Sequence, residues 1–293
     1  MSQNKLSLTL LVFFAIGVTG VTALLAVEHY FENQATTQLK EFIATKGPDA
    51  SVTFGSVDYA LLDRSITYTD LTITAQGEQT VMEELVVYDI DTEHEVPHYS
   101  SIAVKGMSMS ADSSVAFAQS PLGMMGYKQL VGDYSLSYRY DEKDASLFIS
   151  ASNRIREFGQ LEFNANLSEF FPANFEDNNP AALTTVKFLN ADVTFTNENA
   201  VERSLGYIGA DRGMNSEQAQ AFLVEQLSTA AEGKDDFMGS TLRQLRDFIA
   251  QPEKLRINLK PDQPASVLDF MQVAQADGWG FVPERFNIEV IAN

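Results

Sequence analysis

The chain has 293 residues, and its 40 acidic against 20 basic side chains give a net charge of −20. That balance leaves no basic stripe for nucleic acid and is repelled by phosphate and by an anionic lipid surface. There are no cysteines, so disulfides, thiolate metal sites and cysteine nucleophiles are excluded, and an exported domain of this sequence is held by its core alone.

Leu6–Val27 comes first and organises the rest. It is about 22 residues without a charge, the length one helix needs to cross a bilayer core. A cleaved signal peptide is the competing reading. Its apolar region is usually shorter, roughly 7–15 residues, and ends in a small-x-small site that is not found cleanly here. Lys5 and the amino terminus flank the short side, and Glu28 and Glu32 follow on the other. Basic flanks stay inside. The expected topology is therefore a single-pass anchor with a cytoplasmic N-terminus and the bulk exported. Residues 1–27 hold only Lys5, one positive charge, so the remainder carries −21. Glu28–Ala50 reads as a helical stalk, with Leu39, Phe42 and Ile43 on one face and Gly47-Pro48 ending it.

From Ser51 the hydrophobic period becomes two, and residues 51–196 read as a β-rich domain. Ser51–Tyr59 and Arg64–Thr74 are strands, and the alternation of the second changes phase around Asp70, which predicts a bulge. Thr80–Ile90 and Ser101–Ser110 follow. Ala111–Tyr127 breaks the pattern with Pro121-Leu122-Gly123-Met124-Met125-Gly126. Methionines in such a piece fill gaps in a core. The functional alternative is a flexible apolar lip for a ligand, made by Leu122, Met124 and Met125. Strands resume at Asp133–Tyr140, Ala145–Ser152, Gln160–Leu167 and Thr184–Thr196. In the third of these Leu161, Phe163, Ala165 and Leu167 point inward. Short alternating segments between turns predict an antiparallel sheet with one packed and one wet face.

Residues 197–293 turn helical and belong to the same soluble unit. Asn199–Ile208 is a short helix, with Gly213 after it. Asn215 and Gln218 form a capping box that opens Ser216–Ala231. Asp236–Ala250 is a second long helix, stopped before Pro252. Leu255–Lys260 and Phe286–Ile291 are closing strands around a helix at Ser266–Ala274. Strands in one run and helices in another predict an α+β fold: a curved antiparallel sheet with a helical hairpin packed against it.

The search for chemistry yields little. The histidines are His29, His94 and His98. Asp91-Thr92-Glu93-His94-Glu95-Val96-Pro97-His98 is the one dense cluster of ligand types. On a helix His94 and His98 would share a face as in metal-binding H-x-x-x-H pairs, but Pro97 opposes a regular helix. The expectation is an exposed acidic loop and no metal. Glu83/Glu84 and Asp235/Asp236 read as solvated surface. There is no nucleophile elbow, triad, phosphate loop or dinucleotide fingerprint. No catalytic residue and no cofactor is assigned.

Val52-Thr53-Phe54-Gly55-Ser56-Val57-Asp58-Tyr59 and Ile66-Thr67-Tyr68-Thr69-Asp70-Leu71-Thr72-Ile73, placed after an N-terminal span and a short helix, resemble the opening of AsmA-like bacterial envelope proteins. The resemblance covers about the first hundred residues and carries over no site residue. It implies an inner-membrane anchor, a curved β-groove in the periplasm, and a role in lipid transport or envelope maintenance. The chain departs from that family in being short and in ending in helices. The functional expectation is a non-catalytic periplasmic protein, anchored in the bilayer through Leu6–Val27, with a lipid or apolar ligand in a β-groove. The alternative is an accessory subunit docking on a membrane-protein partner.

Overall fold

The computed structural model describes residues 51–60, 65–75, 78–89, 91, 94, 98–110, 120–172, 186–234, 236–276 and 282–293. The anchor at Leu6–Val27 and the stalk at Glu28–Ala50 lie outside the described residues. Among the described residues no helix is long and apolar enough to cross a membrane. The chain divides into two compact units, Met1–Arg139 and Tyr140–Asn293. The division falls inside the stretch that the sequence groups as one β-rich domain. The described elements are mainly antiparallel strands with a few helices, an α+β fold.

The first unit contains β1 (Ser51–Thr53), β2 (Ser56–Ala60), β3 (Ser65–Ala75), β4 (Glu78–Tyr88), β5 (Tyr99–Ser110), the short helix α1 (Pro121–Met124) and most of β6 (Gln129–Asp141). Strands β1 and β2 both pair with β3, and β4, β5 and β6 follow in order. They are one strand of the sequence, interrupted at Phe54-Gly55. There the Gly55 N–H donates to the Thr69 carbonyl at 2.8 Å. Across the break Asp70 takes a left-handed backbone, φ 51°, which is the phase change visible in the sequence. Because the side-chain period is two, cross-strand partners share a face. One row, Tyr68, Leu85, Val104 and Tyr134, runs across four strands and is buried throughout. Leu71 and Met82 pair beside it, also buried. Burial pushes the Tyr68 and Tyr134 phenols up to about 12, with Asp133 adding to the effect at Tyr134. The Tyr68 hydroxyl has no hydrogen-bond partner among the described residues.

The second unit contains β7 (Ser146–Ile155), β8 (Gly159–Ser168), β9 (Lys187–Asn197), β10 (Lys254–Leu259), β11 (Ala265–Ser266) and β12 (Ile288–Ala292). The order is β7-β8-β9-β10-β12, antiparallel throughout, with β11 also pairing with β9. Three helices, α2 (Ala200–Arg212), α3 (Ser216–Ala231) and α4 (Phe237–Ala250), connect β9 to β10; α5 (Val267–Ala276) and α6 (Val282–Arg285) precede β12. The predicted capping box is present. The Gln218 N–H donates to the Asn215 side chain at 2.8 Å, and the Asn215 N–H donates back to Gln218 Oε1 at 3.0 Å. Gly213 ends α2 at φ 69°, a conformation without penalty only for glycine. Helix α5 carries a second, unpredicted box. Asp269 accepts from the Ser266 N–H at 2.6 Å and hydroxyl at 2.8 Å, and its own N–H donates to Ser266 Oγ. Those bonds to Ser266 hold the Asp269 carboxyl below its usual range.

The helices cover the sheet in two places. Val201, Leu205, Ala219 and Phe248 form one cluster, packed on Phe195, Leu255 and Ala292 of the strands. Ala265, Val282 and Phe286 form the other, packed on Leu259 and Ile288.

Candidate functional site

The register of the second unit places a row of apolar side chains between those two clusters. Val290 pairs with Ile257, Ile257 with Val193, Val193 with Phe163, and Phe163 with Ala151. The rows on either side meet a helix cluster: Ala292, Leu255 and Phe195 on one side, Ile288 and Leu259 on the other. The middle row is in neither cluster. Ile257 is 40% exposed, and Leu161, beside Phe195 on β8, is 45% exposed. The other members are half-buried. Neighbouring strands lie about 4.8 Å apart, so a row across five strands runs about 19 Å. An apolar strip of this length, floored by backbone that is fully bonded within the sheet, can take a linear hydrocarbon and offers no polar group to bind.

Leu161 is therefore a correction: the alternation puts it on the apolar face, as expected, but among the described residues it remains 45% exposed. A hydrophobic face is legible as period two. Which part of that face a helix reaches is decided by residues far along the chain.

The opposite face of the same strands is mostly polar, with Phe148 and Ile291 exposed on it. Ser150 donates to Asn164 and Asn166 to Asn190, each at 2.8 Å, and Arg256 forms an ion pair with Asp192. A cleft of about 600 Å³ opens on this side, lined by Asn190, Asp192, Arg256, Asn258, Lys260, Asn287 and Glu289, with Ala191, Leu259 and Ile288. Arg256 in this lining pairs with Asp192, and the Asn287 amide donates to Asp262 at 2.8 Å. The lining contains no histidine.

The residues proposed from sequence as a lip lie in the first unit. Leu122 and Met124 are on α1 and Met125 follows it; Met124 is 51% exposed, and Leu122 and Met125 are half-buried. Ala111–Gln119 of that segment lies outside the described residues. Glu84 is a surface partner of Lys105 at 2.8 Å, raising the lysine pKa, and Asp236 caps α4 through the Gly239 N–H at 2.9 Å.

His29 lies outside the described residues, and only the burial of Asp91 departs from the expected exposed loop. His94 and His98 follow β4 in a connection, not a helix, as Pro97 suggests. The connection is not simply solvated, because Asp91 is 2% exposed. Its Oδ2 accepts from the His98 backbone N–H at 2.7 Å and lies 2.7 Å from His94 Nδ1. The imidazoles stack, with ring centres 3.7 Å apart and planes inclined by 16°.

Residues 152–293 match a family whose description reads "Uncharacterized protein". The match begins inside β7 and runs to the last residue, so it falls within the second unit. No curated protein matches the chain.

Proposed function

We propose that this is a non-catalytic binding protein, tethered to the bacterial inner membrane through Leu6–Val27 and facing the periplasm, which holds an acyl chain along the apolar face of its second sheet. The observation that carries the reading is the apolar row at Ile257, Val193 and Phe163, which belongs to neither helix-packed cluster and is exposed at Ile257, with exposed Leu161 at its border. Apolar surface left open at the centre of a sheet is costly in water, at roughly 25 cal/mol per Å², and contiguous exposed patches of this kind mark binding sites. The net charge of −20 acts in the same direction by keeping such a face from associating with other copies. The resemblance of Val52–Tyr59 and Ile66–Ile73 to AsmA-like openings is consistent with an envelope role.

Native mass spectrometry of the full chain, released from detergent, tests this. A phospholipid or fatty acid retained at one per chain is expected, and Leu161→Asn with Ile257→Asn should abolish it. A clean protein mass, or lipid retained equally by the double variant, would sink the proposal. The accessory-subunit alternative would then gain, and crosslinking of the full chain in its membrane is the measurement for it.

A further inference from the structure

Asp91, His94 and His98 bring one carboxylate and two imidazoles together in the connection after β4. Each offers a ligand atom, and these atoms lie within 4.8 Å of one another. We propose that they form a binding site for a first-row divalent transition metal of the Zn2+ class. The inference does not rest on the acyl-binding reading, and it concerns the other unit.

Three observations carry it. The first is burial. Asp91 is 2% exposed, and a buried carboxylate is costly unless something cationic or hydrogen-bonding meets it. The His98 N–H and the His94 ring are among its partners. The charge of Asp91 is felt as far as Tyr138, whose phenol pKa is raised by burial first and by Asp91 second. A carboxylate has about four lone-pair positions over two oxygens. Asp91 can therefore keep the His98 N–H and still ligate.

The second is the stacking. Zinc binds imidazole nitrogen and carboxylate oxygen at about 2.0–2.2 Å in tetrahedral sites, which sets neighbouring donor atoms about 3.3 Å apart. The two rings, centres 3.7 Å apart and nearly parallel, stand at one place, and a splay of one ring turns their in-plane lone pairs toward a common ion. The spread of up to 4.8 Å across the three residues closes by a modest swing of His94, whose side chain is 46% exposed.

The third is chemical selectivity. This chain has abundant surface carboxylates, and any divalent cation will visit them. Hard ions such as Mg2+ and Ca2+ prefer all-oxygen sites, whereas imidazoles select Zn2+ and its neighbours. Two histidines of the chain's three stand at this one site. The exposed side of His94 leaves a path in, and a place for a water or an incoming ligand as the fourth donor.

The full chain in detergent is titrated with Zn2+ by calorimetry and by thermal melting. One high-affinity site per chain is expected, with a rise in melting temperature that follows mass action, undisturbed by a hundredfold excess of Mg2+. Losing an outer partner of a metal ligand weakens binding roughly 10–100-fold, so His94→Gln and His98→Gln should each weaken it by more than about tenfold. His29→Gln and Asp141→Asn should leave it unchanged. The Gln amide can still donate to Asp91 in place of the ring, so the apo melting temperature of His94→Gln should stay close to the parent. X-ray absorption of the Zn2+-loaded parent provides a reading independent of the variants, with imidazole scattering expected in the inner shell. Absence of a 1:1 site, displacement by Mg2+, unchanged affinity in His94→Gln, or an all-oxygen shell each overturns the proposal.

Discussion

In the first unit, Tyr68, Leu85, Val104 and Tyr134 form a row across four strands, and every member is buried. In the second, Ile257, Val193, Phe163 and Ala151 form a row across four strands, ending in a side chain 40% exposed. Both rows come from strands with the same period-two alternation and similar side chains. What separates them is the layer above the sheet, and pairing register does not specify that layer. A sheet's apolar face becomes a core where something lies on it, and register alone does not say where that is.

The largest effect should come from emptying the closed row. Leu71→Ala removes a fully buried side chain and is expected to destabilise by about 3 kcal/mol, within the usual range for such truncations. Leu161→Ala, the same change on the open face, should cost clearly less, about 1 kcal/mol, because nearly half of that side chain already faces water. Urea unfolding of the two variants measures the difference directly. Equal losses would mean that the second face is sealed in solution.

Alkaline pH probes the same contrast without changing a side-chain volume. The Tyr68 phenol is held at about 12 by burial, against about 10 when unfolded. The raised value means the native state keeps its proton longer. The contribution is fully present below pH 10 and is lost as pH rises toward 12, by about 2 kcal/mol at the upper end. Tyr68→Phe should flatten that decline, leaving the share of Tyr134, and should be neutral or slightly stabilising at pH 7, since the hydroxyl has no partner among the described residues. A steep, unchanged alkaline decline in Tyr68→Phe would place the responsible group elsewhere.

Smaller again is the start of α5, part of the second helix cover. Ser266→Ala removes one arm of the Ser266–Asp269 box and should cost about 1 kcal/mol. Asp269→Asn should cost a similar amount at pH 7. The Asp269 pKa is depressed in the native state, so its contribution is present above the unfolded carboxylate value near 3.9 and is lost as pH falls below it. Acid titration of parent and Asp269→Asn should therefore converge below about pH 4.

These elements also show what a sequence makes legible. The Asn215–Gln218 box, the break at Asp70 and the strand at Gln160–Leu167 are local, each set by a handful of neighbouring residues, and each was readable. The Ser266–Asp269 box was equally local; its signal, Ser-x-x-Asp ahead of Leu268 and Phe270, was there to be found. The exposure of Leu161 was not. It depends on where Phe248 and Val201 come to rest, tens of residues later, on Phe195 rather than on Phe163. The burial of Asp91 is of the same kind: apart from Ile90 its neighbours in sequence, Asp89, Thr92 and Glu93, are acidic or polar, and its burial goes with the His98 N–H and the proximity of Tyr138 on β6.

The smallest effect is the most discriminating. Val87→Thr and Ile257→Thr both keep a β-branched side chain, so strand propensity changes little. Val87 lies at 1% exposure beside Ile102, where a hydroxyl without a partner should cost about 1–3 kcal/mol. Ile257 faces outward far enough for a hydroxyl to reach water, and its replacement should fall within about 0.5 kcal/mol of the parent, as surface changes do. If Ile257→Thr leaves stability untouched while lowering acyl retention, the row is a surface kept apolar for a ligand rather than for folding. If it costs as much as Val87→Thr, that row is core, and the apolar strip does not exist as a binding site.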